Sequence, residues 1–304
     1  MSRAARFAVA SASALLLCSC AAANATPTSS SGKPIIAVAF YPIEEIVRSI
    51  GGDAFDIVTL VPPGQEAHEY EPSARQVGDL QKARFVFYLG DGFQPDVEKA
   101  VGSLPGSIHK TDLLKSIDLL PITDALSGTD GKIEREALSG GMDPHVWLDP
   151  QNMIAMTKVV AAALGVDASV YVGHLQALDD TFRAGLAQCR SKVIVTSHRA
   201  FEYLAHAYGL TQIPIAGMSP TEEPSAKTLQ AVSKAAEKNG VSTIFFEHNL
   251  PADLAKTVAG EIGAKTAVLD PLESLSRDQL DAGATYISVM MDDLAALRSG
   301  LGCT

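Results

Sequence analysis

Short apolar runs alternate along this chain with longer stretches in which apolar positions recur at helical spacing. PIIAVAF (34–40) predicts a buried strand, and IEEIVRSIGG after it predicts a helix closed by Gly51 and Gly52. DIVTLV (56–61), a helix across SARQVGDLQKA and RFVFYLG (84–90) continue the alternation. This βαβα order predicts a parallel sheet with helices on both faces. A second set begins at KVIVTS (192–197), followed by the helix RAFEYLAHAYGL, which ends at Gly209. TQIPIAG, a helix over 225–238, VSTIFFE (241–247), the helix PADLAKTVAGEIG and KTAVLD (265–270) complete it, and an amphipathic helix from Gln279 to about Leu297 closes the chain. Between the sets, Asp167 to Gln188 reads as one helix, a rod of about 30 Å at ~1.5 Å per residue. The segment from His109 to Gly141 reads as a loop region with a short strand at SIDLLPI. The expected fold is α/β, with two lobes, each a mainly parallel sheet flanked by helices. The lobes span 34–166 and 189–304, with a linking helix over 167–188. Open parallel sheets bind ligands at the carboxyl ends of their strands, so the site is expected in the cleft between the lobes.

Composition narrows this picture. The 304 residues are 47% hydrophobic, enough to bury one large core or two smaller ones. The formal charge of −11 argues against nucleic acid as a partner. Arg3 and Arg6 precede an apolar run ending at Leu15, Leu16 and Leu17, the pattern of a secretory signal over residues 1–19. The run ends in LCSC, which resembles a bacterial lipobox with Cys20 as the lipidated first residue; cleavage after the later ANA is the alternative. Residues 20–33 then form a flexible tether of small polar residues. An extracytoplasmic, lipid-anchored location on the outer face of the cell membrane (or its periplasmic side) follows. Cys189 and Cys303 remain, and an even pair in an exported protein predicts a disulfide.

Among the 7 histidines, placement singles out three. His68 follows DIVTLVPPGQEA, His198 follows KVIVTS directly, and His145 lies in the turn-rich GMDPHVWLDP. Asp270 ends KTAVLD and precedes Pro271. These four candidate ligands lie two in each lobe, and imidazole and carboxylate together suit a tetrahedral zinc site. Each residue alone also has a plainer reading: a hydrogen-bonded histidine, or a turn aspartate before proline. Glu247, at the end of IFFE, is the candidate to orient a ligand imidazole through its other ring nitrogen. Glu66 and Glu69 fit surface or supporting positions better than ligand positions, and Ser73 is a natural start for the next helix.

GQEAHEYEPS, DPHVWLDP, TSHRAFEYLAHAYGL, TEEPSA and LDPLE, in that order, resemble the metal-binding lipoproteins of bacterial zinc and manganese ABC importers, the cluster A-I solute-binding proteins. The resemblance implies a metal site of His68, His145, His198 and Asp270. It implies capture of Zn2+, with Mn2+ a weaker competitor, and delivery to an integral-membrane ABC permease by a monomer anchored through Cys20. It implies a carrier and not an enzyme. The competing readings are a manganese- or iron-binding member of the same family, a zinc-dependent hydrolase and an adhesin. No HExxH or GxSxG run is present to favour hydrolysis, and no repeats or stalk favour adhesion. Many zinc members carry a histidine-rich acidic loop before the DPH motif. The matching segment here contains only His109, so no secondary metal trap is expected.

Overall fold

The strand β1 (Ile35–Val38) is buried along its whole length because it lies inside a sheet covered on both faces. It pairs in parallel with β2 (Asp56–Thr59) and with β3 (Phe85–Tyr88), and β3 pairs with β4 (His109–Asp112), giving the order β2-β1-β3-β4. The second lobe repeats this topology. There β5 (Val193–Thr196), β6 (Thr211–Pro214), β7 (Thr243–Phe246) and β8 (Lys265–Val268) form a parallel sheet in the order β6-β5-β7-β8. The computed structural model describes residues 32–122, 141–221, 223–249 and 251–304. The expected signal over 1–19, Cys20, most of the tether and much of the 109–141 segment lie outside the described residues.

Local chemistry sets the helix ends. α1 (Tyr41–Gly51) has a proline in its first turn and stops where Gly52 takes a φ of 51°. α2 (Ala74–Leu80) starts at Ser73 through a reciprocal capping box with Gln76. α3 (Pro95–Gly102) leads into β4. α4 (Pro150–Leu164) is capped by Asp149, and α5 (Ser169–Leu186) packs along it. α6 (Glu202–Tyr208) ends at Gly209, α7 (Ala226–Lys238) is capped by Ser225, and α8 (Asp253–Ile262) ends at Gly263. α9 (Arg277–Asp281) and α10 (Tyr286–Leu301) close the chain.

Three details depart from the sequence reading. The outer strand of the first sheet is HKTD at 109–112, not SIDLLPI. The latter lies against a short 3-10 turn and makes only an isolated bridge between Pro121 and Met142. The final helix is interrupted at Gly283 (φ 78°), and Thr285 caps a new start. The crossing between sheets uses α4 as well as α5, and a single apolar core runs from the first sheet through α4, α5, α6 and α10. A smaller core, built on Val195, Ile213, Ile244, Val232 and Val258, joins the second sheet to α7 and α8.

Cys189 and Cys303 form a disulfide that ties the chain three residues past α5 to the chain two residues past α10, across 114 positions of sequence. Closing so long a loop removes entropy from the unfolded chain, so Cys303→Ser is expected to cost about 2–5 kcal/mol. Calorimetry should show this as a drop of roughly 2–4 °C per kcal/mol. An unchanged melting temperature would show that the bridge constrains nothing the helices do not already hold.

Candidate metal centre

Each site histidine is fixed by the loop that carries it. After β2, Leu60 and Val61 stay buried, and the chain turns through Pro62, Pro63 and Gly64. The Glu66 carboxylate then accepts the backbone N–H groups of His68 (2.8 Å) and Glu69 (3.0 Å), so it builds the turn. The His68 ring meets Phe93 edge-on at 5.0 Å. His145 opens a 3-10 turn (Val146–Leu148), and Asp143 accepts from its backbone N–H (2.8 Å) and faces its Nδ1 (2.9 Å). Residues of the second lobe hold this loop. Trp147 donates to the Pro271 carbonyl (2.7 Å), Tyr286 donates to the Trp147 carbonyl (2.7 Å), and Tyr203 donates to the Asp143 carbonyl (3.1 Å). His198 stands two residues past β5; its carbonyl accepts from Thr196 Oγ1 (2.8 Å) and Gln212 Nε2 (2.9 Å), and its Nδ1 pairs with Glu247, the residue after β7.

The three imidazoles converge through Nε2, and the fourth member is Glu273. His68 and His145 Nε2 are 3.2 Å apart. Glu273 Oε1 lies 3.1 Å from His198 Nε2 and 3.5 Å from the Nε2 atoms of His68 and His145. The four donor atoms lie within 4.8 Å of one another, and all four residues are buried. Among the described residues no other such group occurs.

Asp270 is not in this cluster, and its own bonds explain why. Its Oδ1 accepts the N–H of Leu272 (2.8 Å) and its Oδ2 accepts Gln279 Nε2 (2.9 Å). Its backbone N–H is held by Asp293 (2.8 Å). The carboxylate therefore builds the turn after β8. Leu272, at a φ of 58°, reverses the chain and delivers Glu273 inward. The sequence reading expected Asp270 at this position. Glu273 lies in the same LDPLE run, and a strand-end rule passes over a carboxylate carried past the strand by a turn. Asp143, two residues before His145, reaches its Nδ1 through the tight turn, a placement that residue order alone does not single out.

The charges of the cluster support one another. Burial alone would raise the Glu273 carboxyl, but His68, His145 and His198 outweigh it and hold the group well below the usual carboxylate range. Burial alone would lower His145 and His198. Asp143 and Glu273 raise the first above its ordinary value, and Glu247 and Glu273 raise the second well above it. Among the described residues His68 has no such outer partner, since its buried Nδ1 meets no hydrogen-bonding group.

The cluster opens to solvent on one side. A cavity of about 130 Å³ is lined by Gly64, Glu66, Glu247, Asn249, Glu273 and Ser274, among others. The three histidine side chains are 0% exposed, whereas Glu273 is 8% exposed, so the carboxylate faces the opening.

Two parallel-sheet lobes around a buried, ion-sized donor cluster have the architecture of a two-lobed cation-binding protein. The chain belongs to the family described as zinc-uptake complex component A, periplasmic, which matches residues 36–300. It is 38% identical over 285 residues to the zinc-binding lipoprotein AdcA of Streptococcus pneumoniae, covering 88% of this chain and 56% of the relative. It therefore spans about half the length of that relative. It is 34% identical over 292 residues to the high-affinity zinc uptake system protein ZnuA of Bacillus subtilis, covering 90% of this chain and 89% of the relative. The fold is similar to the crystal structure of the Zn(II)-bound ZnuA-like domain of Streptococcus pneumoniae AdcA, with a TM-score of 0.73 and 35% identity over 89% of this chain and 99% of that one. It is similar at the same TM-score to the metal-dependent lipoprotein YcdH of Bacillus subtilis, with 33% identity over 88% of this chain and 100% of that one.

Proposed function

We propose that this protein is the extracytoplasmic metal-binding component of an ABC importer, which captures Zn2+ through His68, His145, His198 and Glu273 and delivers it to an integral-membrane permease. The observation that carries this reading is the spacing of the four donors. A regular tetrahedron of ligands at ~2.0–2.1 Å from zinc has edges of about 3.3 Å. Four of the six donor separations, at 3.1, 3.2, 3.5 and 3.5 Å, lie near that value, and all six are within 4.8 Å. Three imidazoles with one carboxylate favour zinc over manganese, which prefers more oxygen and higher coordination numbers. Asp143 and Glu247 fix the ring orientation and tautomer of two ligands. Four protein donors close the zinc shell and leave no position for an attacking water, which argues for carriage and against hydrolysis. The names of the streptococcal and Bacillus relatives agree with zinc as cargo.

The anchoring, the monomeric state and the boundaries at 167 and 188 belong to the same proposal. The lipobox-like LCSC supports a lipid anchor at Cys20, and among the described residues no helix is long and apolar enough to cross a membrane. The continuous core through α4, α5 and α10 supports a stiff connection between the lobes and limited opening.

Trp147 supplies the test. It is the only tryptophan, fully buried, with its ring 5.3 Å from that of His145. Zinc added to stripped protein is expected to change its fluorescence until about one equivalent is bound, with manganese displacing zinc only in large excess. Zinc uptake at several equivalents, or a site that prefers manganese, would overturn the assignment.

A further inference from the structure

The cavity beside Glu273 is bridged by a hydrogen-bonded clasp between the lobes. On the first-lobe side, the N–H of Gly64 donates to Ser274 Oγ (2.7 Å) and to the Leu275 carbonyl (2.9 Å). The Ser274 hydroxyl in turn donates to the Pro62 carbonyl (3.3 Å). One serine side chain thus joins the turn after β2 to the turn after β8, accepting one bond and giving another. A third loop adds to it, since Asn249 Nδ2, just past β7, donates to the Ser274 carbonyl (2.9 Å).

The position of this clasp gives it a consequence. Ser274 follows Glu273 in the chain, and Gly64 begins the turn that Glu66 completes at His68. Gly64, Ser274 and Asn249 also line the cavity through which the cluster meets solvent. An ion leaving by that side must pass Glu273, the one donor with any exposure. Glu273 and Ser274 share one turn, so the bonds from Ser274 to Gly64 and Pro62 restrain the backbone that carries the Glu273 carboxylate. Gly64 also has a φ of 75°, a conformation that suits glycine and lets its N–H point across the cleft.

We propose that Ser274 is a positioning residue that sets how long the metal is retained: its hydroxyl holds the two lobes closed at the mouth of the site and keeps Glu273 against the histidines. This rests on the zinc-binding reading above and adds a rate-controlling residue to it. The role concerns exit more than the fold, because the apolar residues of these turns, Leu60, Val61, Leu272 and Leu275, are already anchored in the core without the Ser274 hydroxyl.

The test is the rate at which zinc leaves full-length protein after rapid mixing with excess chelator, followed by Trp147 fluorescence or a chelator dye. Ser274→Ala is expected to speed dissociation on the order of tenfold, the worth of one to two net hydrogen bonds. The melting temperature of its zinc-free form should stay near that of the wild type. Ser274→Thr keeps the hydroxyl and should restore slow release. If Ser274→Ala fails to fold, Asn249→Ala, at an exposed residue, loosens the same turn and should also speed release. A rate in Ser274→Ala equal to wild type overturns the clasp, as does a wild-type rate in Asn249→Ala where that variant stands in. A wild-type protein that takes up no zinc overturns the zinc reading itself, an outcome visible before any variant is compared.

Discussion

Glu273→Gln is expected to weaken zinc binding by well over the ~10–100-fold that loss of an outer partner typically costs. Asp270→Asn is expected to stay within or below that range. The substitutions are chemically alike, each removing one negative charge and keeping the shape of the side chain. The structure separates them by placement. Glu273 Oε1 sits 3.1–3.5 Å from three imidazole nitrogens, where its charge is the cluster's only anionic donor to a dication. Asp270 uses both oxygens on Leu272 and Gln279 and acts on the site through the turn it holds. Calorimetric or chelator-competition titration of both variants decides between them. Equal losses would mean that the turn matters as much as the ligand. A larger loss in Asp270→Asn would put the strand-end carboxylate back in the shell and remove Glu273.

That comparison marks the boundary of what the sequence could show. The three histidines were legible because each lies just beyond a strand or in a tight turn, and parallel sheets collect ligands at those edges. Glu247 was legible for the same reason, one residue past β7. Glu273 was not, because its position depends on a left-handed Leu272, and nothing in residue type announces positive φ at a leucine. The strand β4 was hidden for a different reason. HKTD is a partly exposed outer strand whose polar side chains carry no alternating apolar signal, and only its pairing with β3 makes it a strand. The break between α9 and α10 was written in Gly283 and Thr285, a stop followed by a cap, but the amphipathic pattern runs through both and masks it. The lobes themselves were plain from the repeated βαβα order. Their shared core was not, since periodicity shows which face of α4 or α5 is apolar but not which sheet it will cover.

Acid should release the metal, and the onset should lie above the range of an ordinary histidine. In the metal-free site, carboxylates raise His145 and His198 above their usual values: Asp143 and Glu273 for the first, Glu247 and Glu273 for the second. A raised value means the protonated ring persists to higher pH, so zinc must displace protons from these rings even near neutrality. Apparent affinity then falls as pH decreases through and below those raised values, by up to about one decade per pH unit for each proton displaced. Glu273 works in the opposite sense. Its carboxyl is held well below the usual range, so it stays ionised through mild acid and does not compete. His145 and His198 together therefore predict a slope steeper than one and a loss of several decades between pH ~8 and ~5. The same linkage appears in stability, because a ligand that binds only the folded state stabilises it in proportion to the logarithm of [L]/Kd. The gap in melting temperature between zinc-loaded and stripped protein should therefore narrow steadily as pH falls over that window. Asp143→Asn and Glu247→Gln lower the histidines' proton affinity and should shift the onset to lower pH, even though each also weakens the orientation of its ring. A zinc affinity flat from neutral pH to pH ~5 would contradict a shell of three histidines, whatever the fourth ligand.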